Sequence, residues 1–364
     1  MFAREPSRQI IMEAQCLIPS ARKMSGLVLL VFVLLAGGAA ESRADTGTNP
    51  PAASLQQKPG DLLAGIQRAV CYSGFRHGEH PDRGAGANNP TDQEILEDLQ
   101  LIGQQGFQLI RLYDAQANSQ AVLRIIQAHK LNLKVLLGAW LAAEASSTNC
   151  AWQKTPYPPA VIETNKLVNA GEIENAIRLA NQFPKIVVAV SVGNEALVTW
   201  NDHLVPVDAI IQYVRKVKRA IAQPVTLADN YDWWAHGGAA LANELDFICV
   251  HIYPVWEGKD IDEAMAYGIA NLQAVRNALP HSRMVITEAG WATVGNEFGP
   301  RASEAKQRRY YHDLFAWTAK MNITTFFFEA FDEDWKGDTT AADGAEKHWG
   351  LFTVDRRPKQ VLRP

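Results

Sequence analysis

Short runs of apolar, largely β-branched residues recur along the chain from residue 66 onward, and a longer segment separates each run from the next. Eight such runs lie at residues 66–72, 107–112, 133–137, 186–192, 224–228, 247–252, 284–287 and 325–330. Runs that are apolar throughout, rather than alternating with polar residues, are typical of strands buried on both faces of a parallel sheet. The pattern therefore predicts eight buried strands.

The segments between the runs place apolar residues at helical spacing. They cover residues 92–105, 119–129, 172–181, 207–222, 262–278 and 302–320. Strands that alternate with helices pair in parallel and pack the helices outside the sheet. Eight strands are the number that closes a barrel. We therefore predict an α/β fold, a single (β/α)8 TIM barrel, with a long loop over residues 142–170 and a last helix after residue 350.

An open, doubly wound sheet is the alternative arrangement of the same elements. No Gly-x-Gly-x-x-Gly pattern follows the first run. The nucleotide-binding form of that fold is therefore disfavoured, and the sequence predicts no cofactor.

The N-terminal part of the chain predicts export rather than fold. Arg22 and Lys23 precede an apolar run at residues 27–36, and small residues follow to Ala40. This is the layout of a secretory signal peptide. We divide the chain into a signal segment at residues 1–44, a flexible tether at 45–60 and the barrel domain at 61–364. A secreted, periplasmic or cell-envelope location follows, with an uncleaved membrane anchor through residues 26–40 as the alternative.

Composition limits the partners of the chain. The formal net charge is −4, so no basic excess favours nucleic acid, and a hydrophobic content of 47% excludes a disordered protein. His77, Glu79 and His80 fit no zinc spacing, and no metal site is predicted. Cys71 and Cys150 fall near the same predicted end of the barrel and are the candidate pair for a disulfide. We expect a monomer that has no membrane contact once the signal segment is removed.

Two glutamates follow buried strands directly. Asn194-Glu195 ends the fourth strand, and Glu288 ends the seventh. Active sites of such barrels lie at the carboxyl ends of the strands, and strands four and seven face each other across the mouth. Paired carboxylates that flank a bond are what glycoside hydrolysis needs. The alternative for either glutamate alone is a salt-bridged strand end.

Five segments in order carry a family resemblance, and each lies at a predicted strand end. They are residues 110–114 (Ile-Arg-Leu-Tyr-Asp), 192–195 (Val-Gly-Asn-Glu), 251–254 (His-Ile-Tyr-Pro), 286–291 (Ile-Thr-Glu-Ala-Gly-Trp) and 331–336 (Phe-Asp-Glu-Asp-Trp-Lys). With them the sequence resembles clan A glycoside hydrolases, and within the clan family 17, the β-1,3-glucanases and β-1,3-glucanosyltransferases. The resemblance spans residues 65–358. The last segment is closer to microbial and fungal-type members than to plant ones, and we expect a bacterial protein.

The resemblance implies roles for four residues at the predicted mouth. Glu195 matches the acid/base and Glu288 the nucleophile of a retaining enzyme. Asn194 would hydrogen-bond the sugar 2-hydroxyl, and Tyr253 would direct its hydroxyl at Glu288. At rest Glu288 would be ionised and Glu195 protonated, because the first step needs a charged nucleophile and an acid that can give a proton to the leaving group.

Further residues in the matching segments are candidate supports. Tyr113 and Asp114 would contact the sugar. Arg111 would support the carboxylates through charge-assisted bonds, or else form a purely structural ion pair. Glu333 and Lys336 would contact sugar hydroxyls or brace the site.

Aromatic residues near strand ends are candidates for sugar stacking, because flat rings pack well on sugar faces. Trp291, directly after the seventh strand, is the first choice. Other tryptophans in predicted loops or strand ends could line a groove: Trp140, Trp233, Trp256, Trp335 and Trp349.

The sequence therefore predicts a retaining hydrolase, resembling endo-1,3-β-glucanases, that acts on β-1,3-glucan by double displacement. A β-1,3-glucanosyltransferase is the first alternative, because both reactions share the first step. A different glucan linkage and an inactive glucan-binding protein on the same fold also stay open.

Overall fold

Eight parallel strands close into a barrel in sequence order, and β1 pairs with β8. This arrangement is seen in a computed structural model of the chain, which describes residues 53–82, 85–147, 149–338 and 340–363. The strands are β1 (Arg68–Cys71), β2 (Leu109–Arg111), β3 (Lys134–Ala139), β4 (Val187–Asn194), β5 (Val225–Asn230), β6 (Ile248–Ile252), β7 (Met284–Gly290) and β8 (Thr325–Phe328). Every strand falls in or overlaps a predicted run. The TIM barrel is confirmed, and the open sheet is wrong.

Helices pack around the barrel. They are α1 (Asp92–Gln104), α2 (Ala117–Ala128), α3 (Pro159–Gln182), α4 (Val207–Ala220), α5 (Tyr231–Gly237), α6 (Ala239–Ala242), α7 (Ile261–Ala278) and α8 (Glu304–Met321). All six predicted helices occur. The sequence missed α5 and α6, which are too short for a helical period to be read. The side chain of Asn230 caps α5 by accepting a hydrogen bond from Asp232 N.

Two predicted segments differ from the structure. The loop after β3 ends at Pro158, because Pro159 begins α3 at the first helical position, where proline is favoured. The exposed Leu167 and Val168 on this part of α3 obscured the helical pattern. In the part of the chain that the structure describes, no α-helix follows β8. Single 3₁₀ turns at Ala345–Lys347 and Gln360–Leu362 stand there instead.

The first described residues are fixed against the N-terminal end of the barrel. Leu55 is buried, and the side chain of Gln57 exchanges two 2.8 Å hydrogen bonds with the backbone of Met284 at the start of β7. The predicted tether is therefore anchored at Leu55 and Gln57. The predicted signal segment lies outside the described residues, as does the tether up to residue 52. Among the helices described, none is both long and apolar enough to cross a membrane.

The cysteines within the described residues are free thiols. Cys71 donates to the carbonyl of Thr287, 3.3 Å away. Cys150 is also buried and free. The candidate disulfide between Cys71 and Cys150 is not formed, because Cys71 lies in β1 and its thiol is directed at β7.

A buried carboxylate holds the carboxyl ends of β2 and β3 against α3. Glu172 accepts hydrogen bonds from the backbone of Ala115 (2.6 Å) and Trp140 (3.2 Å), and from the side chain of Gln116. These partners follow β2 and β3. Burial raises the pKa of Glu172 to about 7, and the nearby charge of Asp114 adds to the increase.

We expect the free energy of unfolding of Glu172→Gln, relative to that of the wild type, to increase as the pH rises. The folded pKa of Glu172 lies above the unfolded value, so the folded chain loses stability as the pH rises through the window between them. Glutamine stays neutral and its oxygen can accept from the same two amides. Because one pKa unit corresponds to about 1.4 kcal/mol, the relative gain should approach ~3 kcal/mol. Denaturant unfolding of both proteins at about pH 4 and about pH 8, below and above this window, measures it.

Glu163→Gln is the matched control, because Glu163 lies exposed on the same helix. A stability difference between Glu172→Gln and the wild type that does not change with pH would contradict the argument.

Candidate active site

Glu288 lies at the carboxyl end of β7 and is buried at the mouth of the barrel. Arg111 donates to its Oε1 over 2.6 Å, and the Tyr253 hydroxyl donates to its Oε2 over 2.7 Å. Arg111 ends β2 and Tyr253 follows β6, so three strands bring these groups together. The contact between Tyr253 and Glu288 has the form that the sequence predicts.

The surroundings of Glu288 favour its charged form. Burial raises the pKa of a carboxyl group. Against it act the charge of the Arg111 guanidinium and the hydrogen bonds that Tyr253 and Arg111 donate to Glu288. The net result is a pKa of Glu288 below its ordinary value. The site therefore holds an ionised carboxylate although solvent hardly reaches it.

Glu195 follows β4 in an unusual backbone conformation. Its φ is +45°, and that of Gly193 is +95°. For a residue with a side chain, a left-handed conformation costs on the order of 1 kcal/mol or more. The chain is held there because Glu195 N donates to Ala228 O (2.9 Å) and Leu197 N donates to Asp229 (3.0 Å). Contacts with β5 therefore fix the backbone that carries this carboxylate.

His251 lies between the two glutamates and was not predicted as a site residue. Its Nδ1 is 3.0 Å from Glu195 Oε1 and 3.5 Å from Glu288 Oε2. It precedes Tyr253 by two residues, so the alternation of a strand puts both side chains on the same face. This two-residue spacing from Tyr253 is the feature of the sequence from which His251 could have been identified as a site residue. One oxygen of each glutamate and His251 Nδ1 all lie within 4.8 Å of one another.

The donor set of these three residues does not suit a metal ion. His251 Nε2 is 3.3 Å from Arg111 Nη1. A guanidinium only donates hydrogen bonds, so Nε2 must accept and the ring proton must be on Nδ1. A protonated Nδ1 cannot be a ligand. The charge of Arg111, 2.6 Å from Glu288, also opposes a cation.

Asn194 and Tyr113 surround Arg111. The Asn194 side-chain oxygen accepts from Arg111, and its carbonyl accepts from His203 Nε2 over 2.9 Å. The Tyr113 ring lies 4.6 Å from the Arg111 guanidinium carbon. Both residues are thus placed beside the carboxylates by the same side chain.

Asp114 is directed elsewhere. Its Oδ1 accepts from Gln116 N (3.0 Å) and from Ser119 Oγ (2.7 Å) at the start of α2. These contacts fix the loop after β2. The structure shows no contact of Asp114 with Glu195 or with Glu288.

Trp291 is fully buried, so the predicted stacking on sugar is wrong. Its indole N–H donates to Arg301 O over 2.9 Å, and its ring packs 5.3 Å from that of Tyr310 in α8. The side chain lies between the barrel and its outer helix rather than at the mouth.

Glu333 and Lys336 form a buried network after β8. Lys336 Nζ lies 2.8 Å from Glu333 and 2.6 Å from Glu329, which the sequence analysis missed. Glu333 also accepts from Ser73 Oγ (2.6 Å) and from Phe75 N (3.1 Å), both in the loop after β1. The network therefore braces the loops after β1 and β8, one of the two roles considered for these residues.

The other tryptophans divide between core and surface. Trp349 is buried beneath Tyr253 (5.2 Å) and Trp256 (6.2 Å). Trp140 is partly exposed and packs against His203, next to Asn194, with the ring centroids 4.7 Å apart and the planes tilted by 37°. Trp140 therefore stays a candidate for the groove, and Trp349 does not.

Glu346 is a third carboxyl group near Glu195 and Glu288, and no pattern in the sequence singles it out. Burial raises its pKa to about 7, with Lys336 lowering it and the charges of Glu195 and Glu288 raising it. Its loop has neither a strand nor a helical period from which a position could be inferred.

Residues 69–350 match the BtgE/BtgC glycoside hydrolase domain. Among curated relatives, a glucan 1,3-beta-glucosidase of Arthroderma benhamiae is 29% identical over 269 residues, 69% of this chain and 78% of that protein. A probable glucan endo-1,3-beta-glucosidase btgC of Aspergillus clavatus is 24% identical over 300 residues. That alignment covers 75% of this chain but only 40% of the relative.

Solved structures share the fold. An endo-laminarinase from Formosa Hel1_33_131 superposes with a TM-score of 0.69 at 26% identity, covering 83% of this chain and 86% of that one. A β-1,3-glucanosyltransferase from Rhizomucor miehei superposes with a TM-score of 0.61 at 24% identity, covering 81% of this chain and 96% of that one. This similarity is one of fold. Because the matched domain covers well over half of the sequence, the chain belongs to the BtgE/BtgC glycoside hydrolase domain family.

Proposed function

We propose that the chain is a retaining glycosidase that acts on β-1,3-glucan, with Glu288 as nucleophile and Glu195 as acid/base. The observation that carries the proposal is the difference between two adjacent carboxylates. Oxygens of the two lie within 4.8 Å, but only Glu288 is held by Arg111 and Tyr253. Retaining enzymes separate their carboxyl groups by about 5–5.5 Å, and inverting enzymes by roughly 6.5–9.5 Å.

In the first step, Glu288 attacks the anomeric carbon and the glycosidic C–O bond breaks. Glu195 gives its proton to the leaving oxygen, and a covalent glycosyl-enzyme forms. In the second step, Glu195 takes a proton from water, the water oxygen attacks the anomeric carbon, and the bond to Glu288 breaks. If a sugar hydroxyl replaces water, the same step becomes a transfer.

Neighbouring residues support these steps. Arg111 and Tyr253 stabilise the charge that Glu288 carries before attack and regains in the second step. The position of Asn194 between Arg111 and Glu195 supports the proposed contact with the sugar 2-hydroxyl. Trp140, partly exposed near Asn194, is the aromatic residue that the geometry favours for stacking on a sugar ring.

Action on β-1,3-linkages is supported by the names of both curated relatives, at 29% and 24% identity. Endo action is supported by the names of the btgC relative and of the Formosa endo-laminarinase. The proposed boundaries, a signal peptide at residues 1–44 followed by a tether and the catalytic domain, put the enzyme outside the cytoplasm. The curated relatives named above are fungal, so the bacterial origin stays a prediction from sequence.

The product profile tests this function. Purified protein is incubated with laminaripentaose, with heat-inactivated protein as the control, and products are separated by chromatography. We expect shorter oligosaccharides from internal cleavage. Products longer than the pentasaccharide would identify a glucanosyltransferase. If folded protein leaves laminaripentaose unchanged, the β-1,3 assignment is overturned. The alternatives are then an enzyme for another glucan linkage or an inactive glucan-binding protein.

A further inference from the structure

His251 is fully buried, and both of its ring nitrogens have partners in the site. We propose that His251 is a positioning residue that acts through Glu195: its N–H fixes which oxygen of Glu195 carries the catalytic proton. The proposal rests on the proposed function, because it concerns the acid/base of that reaction.

Arg111 decides which nitrogen of His251 carries the proton. Its Nη1, which donates to Glu288 Oε1 and to the Thr287 carbonyl (3.2 Å), lies 3.3 Å from His251 Nε2. Because a guanidinium has no acceptor, a proton on Nε2 would face another donor, so Nε2 is the unprotonated nitrogen. The same Nη1 donates to Glu288 Oε1 over 2.6 Å, and Nη2 donates to Asn194. The guanidinium is therefore locked by other partners and cannot turn away. It leaves His251 with one N–H, at Nδ1.

The distances decide where that N–H is donated. Nδ1 is 3.0 Å from Glu195 Oε1 and 3.5 Å from Glu288 Oε2. A separation of 3.0 Å is ordinary for an N–H···O bond, and 3.5 Å is at the limit. Glu288 already has the Tyr253 hydroxyl on the same oxygen at 2.7 Å. The principal acceptor of the His251 proton is therefore Glu195 Oε1.

This bond determines the form of the protonated acid. A neutral carboxyl group has one oxygen that only accepts and one that carries the proton. Because Oε1 accepts from His251, the proton belongs on Oε2. The described partner of Oε2 is Asn201 Nδ2 at the long distance of 3.4 Å, which leaves this oxygen available to a leaving group. His251 thus directs the acid without touching substrate.

A pair of variants of similar polarity separates this role from packing. In His251→Asn the side-chain amide nitrogen takes the place of Nδ1 and can still donate to Glu195. In His251→Gln the amide reaches the place of Nε2, and Glu195 loses its donor. We expect the asparagine variant to stay within about tenfold of wild type. The glutamine variant should lose ~10²-fold or more on oligosaccharide, the usual size of a general-acid contribution.

The leaving group supplies the second readout. A sugar hydroxyl needs a proton as it leaves, whereas dinitrophenolate does not. We therefore compare kcat/KM, which reports the first step, for laminaripentaose and for dinitrophenyl β-laminaribioside. The glutamine variant should lose ~10²-fold on the pentasaccharide and less than tenfold on the aryl glycoside.

Equal losses on both substrates would overturn the proposal, since they would mean that His251 acts on Glu288 or only on packing. An unimpaired glutamine variant would also overturn it. Thermal unfolding of both variants shows whether they are folded, and if His251→Gln is not, the unequal loss is sought in His251→Ser. Wild-type protein that cleaves neither substrate would instead contradict the proposed function, a distinct result.

Discussion

Glu288→Ala is expected to abolish the formation of shorter oligosaccharides, with kcat reduced by roughly 10⁴-fold or more, as when a covalent nucleophile is removed. Without this carboxylate no glycosyl-enzyme can form, and Arg111 loses the partner at 2.6 Å that its charge is balanced against. The measurement is the initial rate on laminaripentaose. Glu263→Ala, an exposed glutamate on α7, is the matched control and should leave the rate unchanged.

Azide separates the roles of the two carboxylates. In Glu288→Ala, azide can enter from the side that the nucleophile occupied and, with an activated aryl glycoside, give a product of inverted configuration. In Glu195→Ala, azide attacks the glycosyl-enzyme and the product keeps the β configuration. NMR of the glycosyl azides distinguishes the two. If the configurations were exchanged between the variants, the assignment of nucleophile and acid/base would be reversed.

Lys336→Met is expected to lower the free energy of unfolding by about 3–5 kcal/mol near neutral pH, as when one partner of a buried ion pair is removed. The ammonium group lies 2.6 Å from Glu329 and 2.8 Å from Glu333, and both carboxylates are buried. Methionine fills a similar volume but leaves Glu333 without a counter-charge. Burial already holds the pKa of Glu329 well above its ordinary value, so Glu333 is the partner that the loss of Lys336 affects most.

The loss should depend on pH. In the wild type the pKa of Glu333 lies below its ordinary value, because Lys336 and the hydrogen bonds to Glu333 outweigh burial. Without Lys336, burial prevails and that pKa rises above the unfolded value. A raised carboxyl pKa removes stability as the pH increases. The variant should therefore be closest to wild type in acid and furthest from it at alkaline pH.

Chemical denaturation at several pH values measures both features. Lys166→Met is the control, because Lys166 pairs with Glu163 on the surface of α3, where such pairs contribute about 0–1 kcal/mol. A loss as small as that of the control, or one that does not change with pH, would show that Lys336 does not balance the buried charge of Glu333.

The barrel and its carboxylate pair could be predicted because both depend on local sequence. An apolar run predicts a buried strand, and a charged residue directly after that strand is expected at the mouth of the barrel. Glu195 and Glu288 stand out for this reason. His251 does not, because it lies inside its apolar run and its partners are 56 and 37 residues away.

The direction of a side chain beyond a strand end could not be predicted. Glu288 faces the interior of the barrel, but Trp291, three residues later, packs against α8. The regular alternation ends with β7 at Gly290, so nothing in the sequence marks which side Trp291 takes. Glu346 was missed for a related reason. Its place beside the site depends on how the loop after β8 folds back, which is set by distant contacts.

The left-handed backbone of Glu195 places selection for activity and selection for stability in opposition at one residue. Glycine adopts that conformation without the cost that a side chain brings, so losing the carboxylate there relieves strain rather than adding it. A descendant with glycine in place of Glu195 would lose the acid/base and the backbone strain together, and would keep the buried Arg111 and the barrel. The substitution that turns this enzyme into a sugar-binding protein can therefore also relieve backbone strain at the mouth of the barrel.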